Sequence, residues 1–278
     1  MGELVAQVKQ DIVEAIKSDD LVLPTLPEVA LRVRSEAEDP ESSLNSLGKV
    51  ISNDPALSAR VIKVANSAFF RTSKEISDLK MALMRLGMEY TANLAIGLAM
   101  EQMFQATSNI IDKRMREIWQ RSSEIAGICH VLCLHRSHLK PDQAMLAGLI
   151  YKIGALPILT YAEEHPSLLK DSFSLDAVIQ SLYPAIGNVI LKKWDFPIEL
   201  QHVPTSHLQF NRTIAKADYS DIVTVAMLQS YMGTETDMGN VDYSQVSSFE
   251  RLGLVAEEHI HSTNVSEEME EAMRLLNS

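Results

Sequence analysis

The sequence predicts an all-α protein, and three observations support that prediction. Apolar residues recur at helical spacing almost throughout the chain, beginning with the stripe of Leu4, Val8, Ile12 and Ile16. The strict alternation of apolar and polar residues that is typical of a half-buried strand is not evident in the sequence. Glycine is scarce, at 11 of 278 residues, and prolines stand where helical patterns begin. We therefore expect helices and no sheet.

Prolines and one capping residue indicate where several helices start. Pro27, Pro141 and Pro197 can each occupy a first helical turn, where the missing N–H has no partner to lose. Asp54-Pro55 combines a side chain that can cap a helix with a favoured first residue. In chain order, the expected helices cover residues 3–17, 27–38, 42–53, 55–66, 78–87, 89–106, 111–136, 141–162, 174–180, 183–194, 197–203, 212–232 and, with a break, 249–277.

Polar segments indicate how the helices are grouped. Residues 105–109 form a polar stretch that ends at Asn109, which we interpret as the joint between two helical layers. The expected units are an N-terminal helical half, residues 1–109, and a C-terminal helical half, residues 110–278. Residues 234–240 are polar and contain two glycines, so they predict the most loop-like segment.

Charge and composition exclude several classes of protein. The chain has 37 acidic and 25 basic residues, a formal charge of −12 and a pI near 5.1, so its field repels phosphate backbones and anionic lipid. We expect no general nucleic-acid binding. No apolar run is expected to reach the ~18 residues that span a bilayer, and the N-terminal residues lack the basic flank of a signal peptide. Two cysteines in such a chain suit a reducing compartment. We expect a cytoplasmic protein without membrane insertion.

Four short motifs follow one another between residues 23 and 103. They are Leu23-Pro24-Thr25-Leu26-Pro27-Glu28-Val29, Ile51-Ser52-Asn53-Asp54-Pro55-Ala56-Leu57-Ser58, Ala65-Asn66-Ser67-Ala68-Phe69-Phe70 and Ala82-Leu83-Met84-Arg85-Leu86-Gly87. In order and spacing they resemble the HDOD domain, the HD-related output module of bacterial signalling. Weaker similarity over residues 112–260 extends the resemblance across most of the chain. It implies a helical fold whose C-terminal half derives from HD-type metal-dependent phosphohydrolases.

The third motif is interpreted first as structural. Asn66 and Ser67 end the helix that Pro55 begins, because asparagine tolerates left-handed geometry and bonds to nearby backbone. Phe69 and Phe70 are then expected to fill the core after the turn. The alternative is an aromatic patch that faces a protein partner.

The resemblance also implies where metal ligands should stand. An HD phosphohydrolase holds one or two divalent ions with histidines and carboxylates, which activate water. Here the first histidine position is Arg121, the adjacent His-Asp pair is Tyr151-Lys152, and the next histidine position is Tyr183. The later histidine pair aligns with His207 and Leu208.

The distal aspartate of the family aligns less securely. Ala226-Met227 occupies the matching place, and Asp218 or Asp221 is the alternative. An ammonium at Lys152 would replace attraction of a metal by repulsion. We therefore expect no metal, no cofactor and no catalysis, and our leading hypothesis is a bacterial signalling and regulatory module that binds a protein or a ligand. The alternative is a diverged metal-dependent phosphohydrolase that acts on a nucleotide or cyclic dinucleotide.

Three further features carry hypotheses of their own. If Arg121, Lys152 and His207 converge beside Tyr151 and Tyr183, as the resemblance implies, the site of the lost metal could bind a small anion. The alternative is that local acids such as Glu124 or Asp195 neutralise these cations, or that Lys152 extends to solvent. Cysteines and histidines between residues 129 and 138 suggest zinc, but apolar neighbours favour buried structural cysteines. The acidic amphipathic segment near the C-terminus is either a solvated helix or a helix that docks on a partner or on a second copy, forming a homodimer.

Overall fold

The computed structural model describes residues 2–18, 20–67, 70, 75–169, 172–232, 234–235, 237–254, 273 and 276. In these residues the chain is helical and contains no strand, so the all-α prediction is confirmed. The α-helices are α1 (Gly2–Lys17), α2 (Glu28–Glu38), α3 (Leu44–Ser52), α4 (Pro55–Ala65), α5 (Leu79–Leu86), α6 (Met88–Ala99), α7 (Asn109–Arg136), α8 (Pro141–Ile150), α9 (Ala155–Glu164), α10 (Pro166–Leu169), α11 (Ser172–Lys193), α12 (Ile198–Gln201), α13 (Val203–Ser206), α14 (Tyr219–Tyr231) and α15 (Ser247–Arg251). Short 3-10 helices cover Met100–Met103, Asp237–Asn240 and Tyr243–Gln245.

The starts of two helices follow from their local sequence. Asp54 accepts a hydrogen bond from the Leu57 amide at 3.0 Å, and Pro55 is the first residue of α4, as predicted. In α14, Asp218 and Asp221 form a reciprocal capping box, so that helix starts at Tyr219. The prediction of a helix from residue 212 is therefore wrong at its N-terminal end, because the capping pair fixes a later start.

Two other predicted boundaries are wrong. The expected helix 141–162 is two helices, α8 and α9, because a turn at residues 151–154 redirects the chain. The expected break between 180 and 183 does not occur, and α11 continues through Pro184. Proline disfavours a helix interior, yet Ile179 and Ile186 on either side are buried, and α11 packs against α1, α9 and α13. Tertiary packing thus outweighs the local cost.

The expectation about apolar runs also needs correction. Residues Pro141–Glu164 are long and apolar enough to cross a membrane by length and composition, and an 18-residue window within them has a mean hydropathy of 1.5. However, 83% of that window is buried inside the protein, and the turn at 151–154 divides it. The stretch forms the α8–α9 part of the core.

One hydrophobic core runs through both predicted halves. α2 packs on α3 and α6, α6 packs on α8, and α8 lies along α7. The Trp194 indole donates to the Pro24 carbonyl at 3.0 Å, and Arg34 donates to the Trp194 carbonyl at 2.5 Å while its guanidinium lies over Phe196. These contacts join the start of the chain to the end of α11. The division at residues 109 and 110 stays a prediction.

The turn after α4 is held by the Asn66 side chain. Its Nδ2 donates to the carbonyls of Ile62 at 3.2 Å and Ile76 at 2.7 Å, and its Oδ1 accepts from the Ile76 amide at 2.8 Å. The Asn66 backbone is right-handed, with φ −90°, so the expected left-handed geometry is wrong. Ser67 is buried. Asn66 thereby joins the end of α4 to the segment that leads into α5.

Of the aromatic pair Phe69-Phe70 in the same motif, Phe70 is among the described residues. Phe69 lies outside the described residues. Phe70 packs edge-on against Tyr90, with ring centroids 5.0 Å apart, and lies 6.0 Å from the His130 ring. Phe70 therefore contributes to the packing of α6 on α7.

Replacing Asn66 by leucine should lower the free energy of unfolding by about 1–3 kcal/mol, because the Ile76 amide and carbonyl lose their partners. Urea denaturation measures this difference. The matched control is Asn45→Leu, at an exposed position on α3, which should change stability by less than about 0.5 kcal/mol. Unchanged stability of Asn66→Leu would show that the motif is not structural.

Candidate functional site

Two glycines let the turn at residues 151–154 lie close to its neighbours. A Cβ at Gly148 would come within 2.5 Å of the Ala126 Cα on α7. A Cβ at Gly154 would come within 2.1 Å of the Tyr183 carbonyl and 2.4 Å of the Gly187 amide on α11. Backbone atoms cannot give way as side chains do, so both positions need glycine. The result is that α7, the turn and α11 meet around Tyr151 and Lys152.

The inner part of the site is filled by three rings. Tyr151, Tyr183 and His207 are all buried. The Tyr183 hydroxyl lies 2.9 Å from His207 Nε2, and the Tyr151 ring meets the His207 ring edge-on at a centroid distance of 5.2 Å. These side chains occupy the positions where the HD resemblance implies metal-binding histidines.

The hydrogen bonds of His207 fix its tautomer. Nδ1 lies 2.9 Å from the Val203 carbonyl, which can only accept, so Nδ1 carries the proton. Nε2 is then the acceptor for the Tyr183 hydroxyl. Burial lowers the pKa of His207 to about 4, and burial also raises the pKa of Tyr183, so both groups are neutral at pH 7. The histidine has no nitrogen left for another ligand.

The residues at this site do not fit a divalent metal. A metal ligand needs a free lone pair or a carboxylate. The lone pair of His207 Nε2 accepts the hydrogen bond of the Tyr183 hydroxyl. The position next to Tyr151, where the resemblance implies a carboxylate, carries the Lys152 ammonium. Lys152 Nζ lies 5.4 Å from the Tyr183 ring centroid. No cluster of three His, Cys, Asp or Glu side chains suited to a metal occurs in the part of the chain that the structure describes.

Outside the rings, Lys152 opens into a cavity of about 400 Å³. Arg121 lines the same cavity, so the five residues of the predicted site do come together. The Arg121 guanidinium donates to the Ser230 carbonyl at 3.2 Å, contacts Glu124 at 3.3 Å, and lies 4.8 Å from the Tyr231 ring centroid. His207, however, is buried behind the tyrosines and is not among the cavity-lining residues. Of the three residues expected to converge on one ligand, Arg121 and Lys152 therefore face the cavity and His207 does not.

Several cavity residues were not identified from the sequence. Arg114 forms an ion pair of 2.6 Å with Asp176, 62 positions away on α11. Neither residue belongs to a motif, and both have ordinary polar positions on amphipathic helices. Only the tertiary structure brings these two helix positions together, so no signal in the sequence could have paired them. Glu124, which the sequence offers as a local acid that could neutralise these cations, does contact Arg121. The other lining residues are Glu117, Ile118, Gln120, Ile179, Gln180 and Tyr231.

Asp218 and Asp221, the alternatives for the distal aspartate, are bound by arginines. Asp221 is fully buried and accepts from Arg212 at 2.7 Å, from Arg251 at 2.6 and 3.0 Å, and from Ser248 at 2.7 Å. Burial alone would raise its pKa, but these hydrogen bonds outweigh burial and hold the pKa of Asp221 below its usual range. Asp218 accepts two hydrogen bonds from Arg212. Asp221 thereby joins α14 to α15, and both carboxylates are joined through Arg212 to the segment before α14.

The cysteines and histidines near the end of α7 form part of the core. Cys129 and Cys133 are free and buried, and burial raises the pKa of Cys133 to about 11. Cys133 contacts the Ser137 hydroxyl at 3.2 Å and the Leu139 carbonyl at 3.3 Å. His130 lies 3.2 Å from the Tyr90 hydroxyl, and burial lowers its pKa to about 4. These contacts favour the structural interpretation over the zinc hypothesis.

The fold and the site together define an all-α protein of the HD-related class. The HDOD domain family matches residues 23–210, which is more than half of the chain. The chain therefore belongs to the HDOD domain family.

Solved structures with the same fold include two that cover nearly the whole chain. A proposed metal-dependent phosphohydrolase from Shewanella amazonensis SB2B is 30% identical, with a TM-score of 0.87 over 98% of this chain and 99% of that one. An HDOD domain protein of unknown function from Geobacter sulfurreducens is 17% identical, with a TM-score of 0.69 over 98% of both chains. At that identity, the second likeness concerns the fold alone.

Two curated relatives are longer proteins. An uncharacterized protein from Treponema pallidum (strain Nichols) is 23% identical over 256 residues, 84% of this chain and 47% of that protein. The cyclic di-GMP phosphodiesterase CdgJ from Vibrio cholerae is 27% identical over 130 residues, 46% of this chain and 28% of that protein. The chain therefore matches less than half the length of either relative.

The buried neutral His207 predicts a loss of stability in mild acid. In the unfolded chain histidine titrates near about 6.5, whereas the pKa of folded His207 is about 4. As the pH falls from about 6.5 to about 4, this histidine is protonated in the unfolded chain but stays neutral in the folded protein. The free energy of unfolding should therefore fall by about 2 kcal/mol between about pH 7 and pH 5 on account of His207.

Urea denaturation of wild type and His207→Gln at both pH values isolates this contribution, because the variant should lose less stability on acidification. His130 is expected to contribute in the same direction and remains in both proteins. His138→Gln, at an exposed position, is the matched control and should behave as wild type. An acid-induced loss of equal size in His207→Gln and wild type would contradict the assignment.

Replacing Asp221 by alanine should destabilise the protein by about 3–5 kcal/mol, since two largely buried guanidiniums would lose their shared carboxylate. Thermal and urea unfolding measure the loss. Asp218→Ala should cost less, because the Asp218 side chain is 39% exposed and binds one arginine, Arg212, besides capping the Asp221 amide. If Asp221→Ala unfolds like wild type, the arginine cluster does not hold α14 to α15.

Proposed function

We propose that this protein is a non-catalytic regulatory module of bacterial cytoplasmic signalling that acts by binding a protein partner or a small anionic ligand. One observation carries the proposal. Tyr151, Lys152 and Tyr183 stand at the positions where the HD resemblance implies ligands for a metal, and His207 is engaged by Tyr183 and Val203. Membership of the HDOD family supports a signalling role.

The chemistry of the side chains supports the absence of hydrolysis. Hydrolysis of a phosphoester by an HD enzyme requires water activated by a metal that several imidazoles and carboxylates hold. Here two neutral phenols and an imidazole fill the inner site, and the nearest cations are Lys152 and Arg121. Arg121 cannot act as a base in place of a metal hydroxide, because its guanidinium is always protonated. Lys152 offers an amine beside the Tyr183 ring where the resemblance implies a carboxylate ligand for the metal.

A second candidate function has specific support. The Shewanella protein at 30% identity is named as a proposed metal-dependent phosphohydrolase, and the Vibrio relative is named as a cyclic di-GMP phosphodiesterase. This chain would then be a diverged phosphohydrolase of a nucleotide or cyclic dinucleotide. It would have to bind its metal without the ligands that the resemblance implies.

One experiment separates the two functions. Purified protein should contain no stoichiometric manganese, iron or zinc, and should not hydrolyse cyclic di-GMP or a nucleotide phosphodiester with added manganese. Elemental analysis and product chromatography measure these outcomes, with the Vibrio phosphodiesterase as the positive control. Stoichiometric metal together with turnover that is lost in Tyr151→Ala or His207→Ala would establish the phosphohydrolase instead.

A further inference from the structure

The cavity beside Lys152 is lined by equal numbers of opposite charges. Three cations, Arg114, Arg121 and Lys152, face it together with three carboxylates. Its volume of about 400 Å³ lies within the range of about 300–1,000 Å³ for small-molecule sites. The composition of the lining therefore decides what such a cavity could hold.

Two of the three cations already have partners. Arg114 donates to Asp176 at 2.6 Å and to the Ser172 hydroxyl at 2.6 Å. Arg121 contacts Glu124 at 3.3 Å and donates to the Ser230 carbonyl. Neither guanidinium can turn to a ligand without losing these contacts.

Lys152 is the exception. Its Nζ makes no hydrogen bond or ion pair with any residue that the structure describes, and its nearest aromatic contact is the face of Tyr183. Burial lowers the pKa of Lys152, with Arg121 acting in the same direction and Asp176 opposing it. A partly buried ammonium without a partner is costly, and an anion in the cavity would relieve that cost.

We propose that this cavity binds a ligand with one singly charged oxyanion, a carboxylate or a phosphodiester, and that Lys152 is its charge partner. The inference rests on the proposed function, since it names the ligand chemistry of the same site. A second negative charge is disfavoured because Glu117, Glu124 and Asp176 line the same space. Ile118, Ile179 and the Tyr231 ring provide an apolar wall for the body of the ligand.

Isothermal calorimetry with three probes tests the proposal on the full chain. Benzoate offers a carboxylate on a flat apolar body, cyclic di-GMP offers phosphodiesters, and sulfate is a small dianion. Benzoate or cyclic di-GMP should bind more tightly than sulfate, and whichever of the two binds identifies the source of the oxyanion. If neither binds at millimolar concentration, or if sulfate binds best, the proposal is wrong.

Two variants connect the binding to particular residues. Lys152→Gln should weaken the binding by about tenfold or more, and Lys152→Arg should retain part of it. Lys193→Gln, an exposed lysine at the end of α11, is the matched control and should bind as wild type. An equal loss of affinity in Lys152→Gln and Lys193→Gln would show that the effect comes from the net charge of the protein, and the proposed binding site would then be wrong.

Glu124→Gln provides a test that does not depend on the folding of a Lys152 variant. It would remove the carboxylate that faces Arg121 while the guanidinium keeps its bond to the Ser230 carbonyl, so the affinity for sulfate should rise several-fold while benzoate gains less. Unchanged sulfate affinity in Glu124→Gln would contradict the account of the cavity charges.

The failure of this inference differs from the failure of the proposed function. Absence of anion binding without phosphodiesterase activity would reject the cavity ligand and leave a protein partner as the means of regulation. Manganese-dependent turnover would reject the regulatory module, whatever the calorimetry finds.

Discussion

The backbone of the turn at residues 151–154 lies directly against the backbone of α11, and the rest of the site depends on this contact. Gly154 has no room for a Cβ, because the Tyr183 carbonyl and the Gly187 amide occupy that space. Gly148 imposes the same constraint against Ala126 on α7. Together the two glycines hold three helices close enough for Tyr151, Tyr183 and His207 to fill one another's space. The turn also divides a long apolar stretch into α8 and α9.

This packing separates the site into a buried part, formed by the rings of Tyr151, Tyr183 and His207, and an open part, the cavity beside Lys152. In the interior, hydrogen bonds fix His207 in one neutral tautomer between Val203 and Tyr183. On the exterior, Arg114 and Arg121 are paired with carboxylates of the cavity, whereas Lys152 is not. Tyr151 and Lys152 are neighbours in the turn and contribute to both parts, since Tyr151 belongs to the buried rings and Lys152 lines the cavity. Under the function that we propose, such a site would recognise a partner or ligand by shape and charge.

Elsewhere the fold is held by side chains that join segments distant in sequence. Asn66 joins the end of α4 to Ile76, Asp221 joins α14 to Arg251, and Trp194 joins α11 to Pro24. Arg60 donates to the carbonyl of Leu276, which is buried, so the last part of the described chain lies on α4. The rest of the acidic C-terminal helix that the sequence predicts lies largely outside the described residues, and its docking role stays a prediction.

The sequence by itself determined the helical class, the cap at Asp54 and the family, because helical periodicity, capping residues and motif order are local properties of a chain. The resemblance also predicts that Tyr151, Lys152 and Tyr183 stand at metal-ligand positions, and that assignment stays a prediction. Only the tertiary structure decided that α11 continues through Pro184, that His207 is sealed behind the tyrosines, and that Arg114 meets Asp176. Burial and pairing between residues far apart in the chain set these outcomes, and no local pattern encodes which distant partner will neutralise a charge.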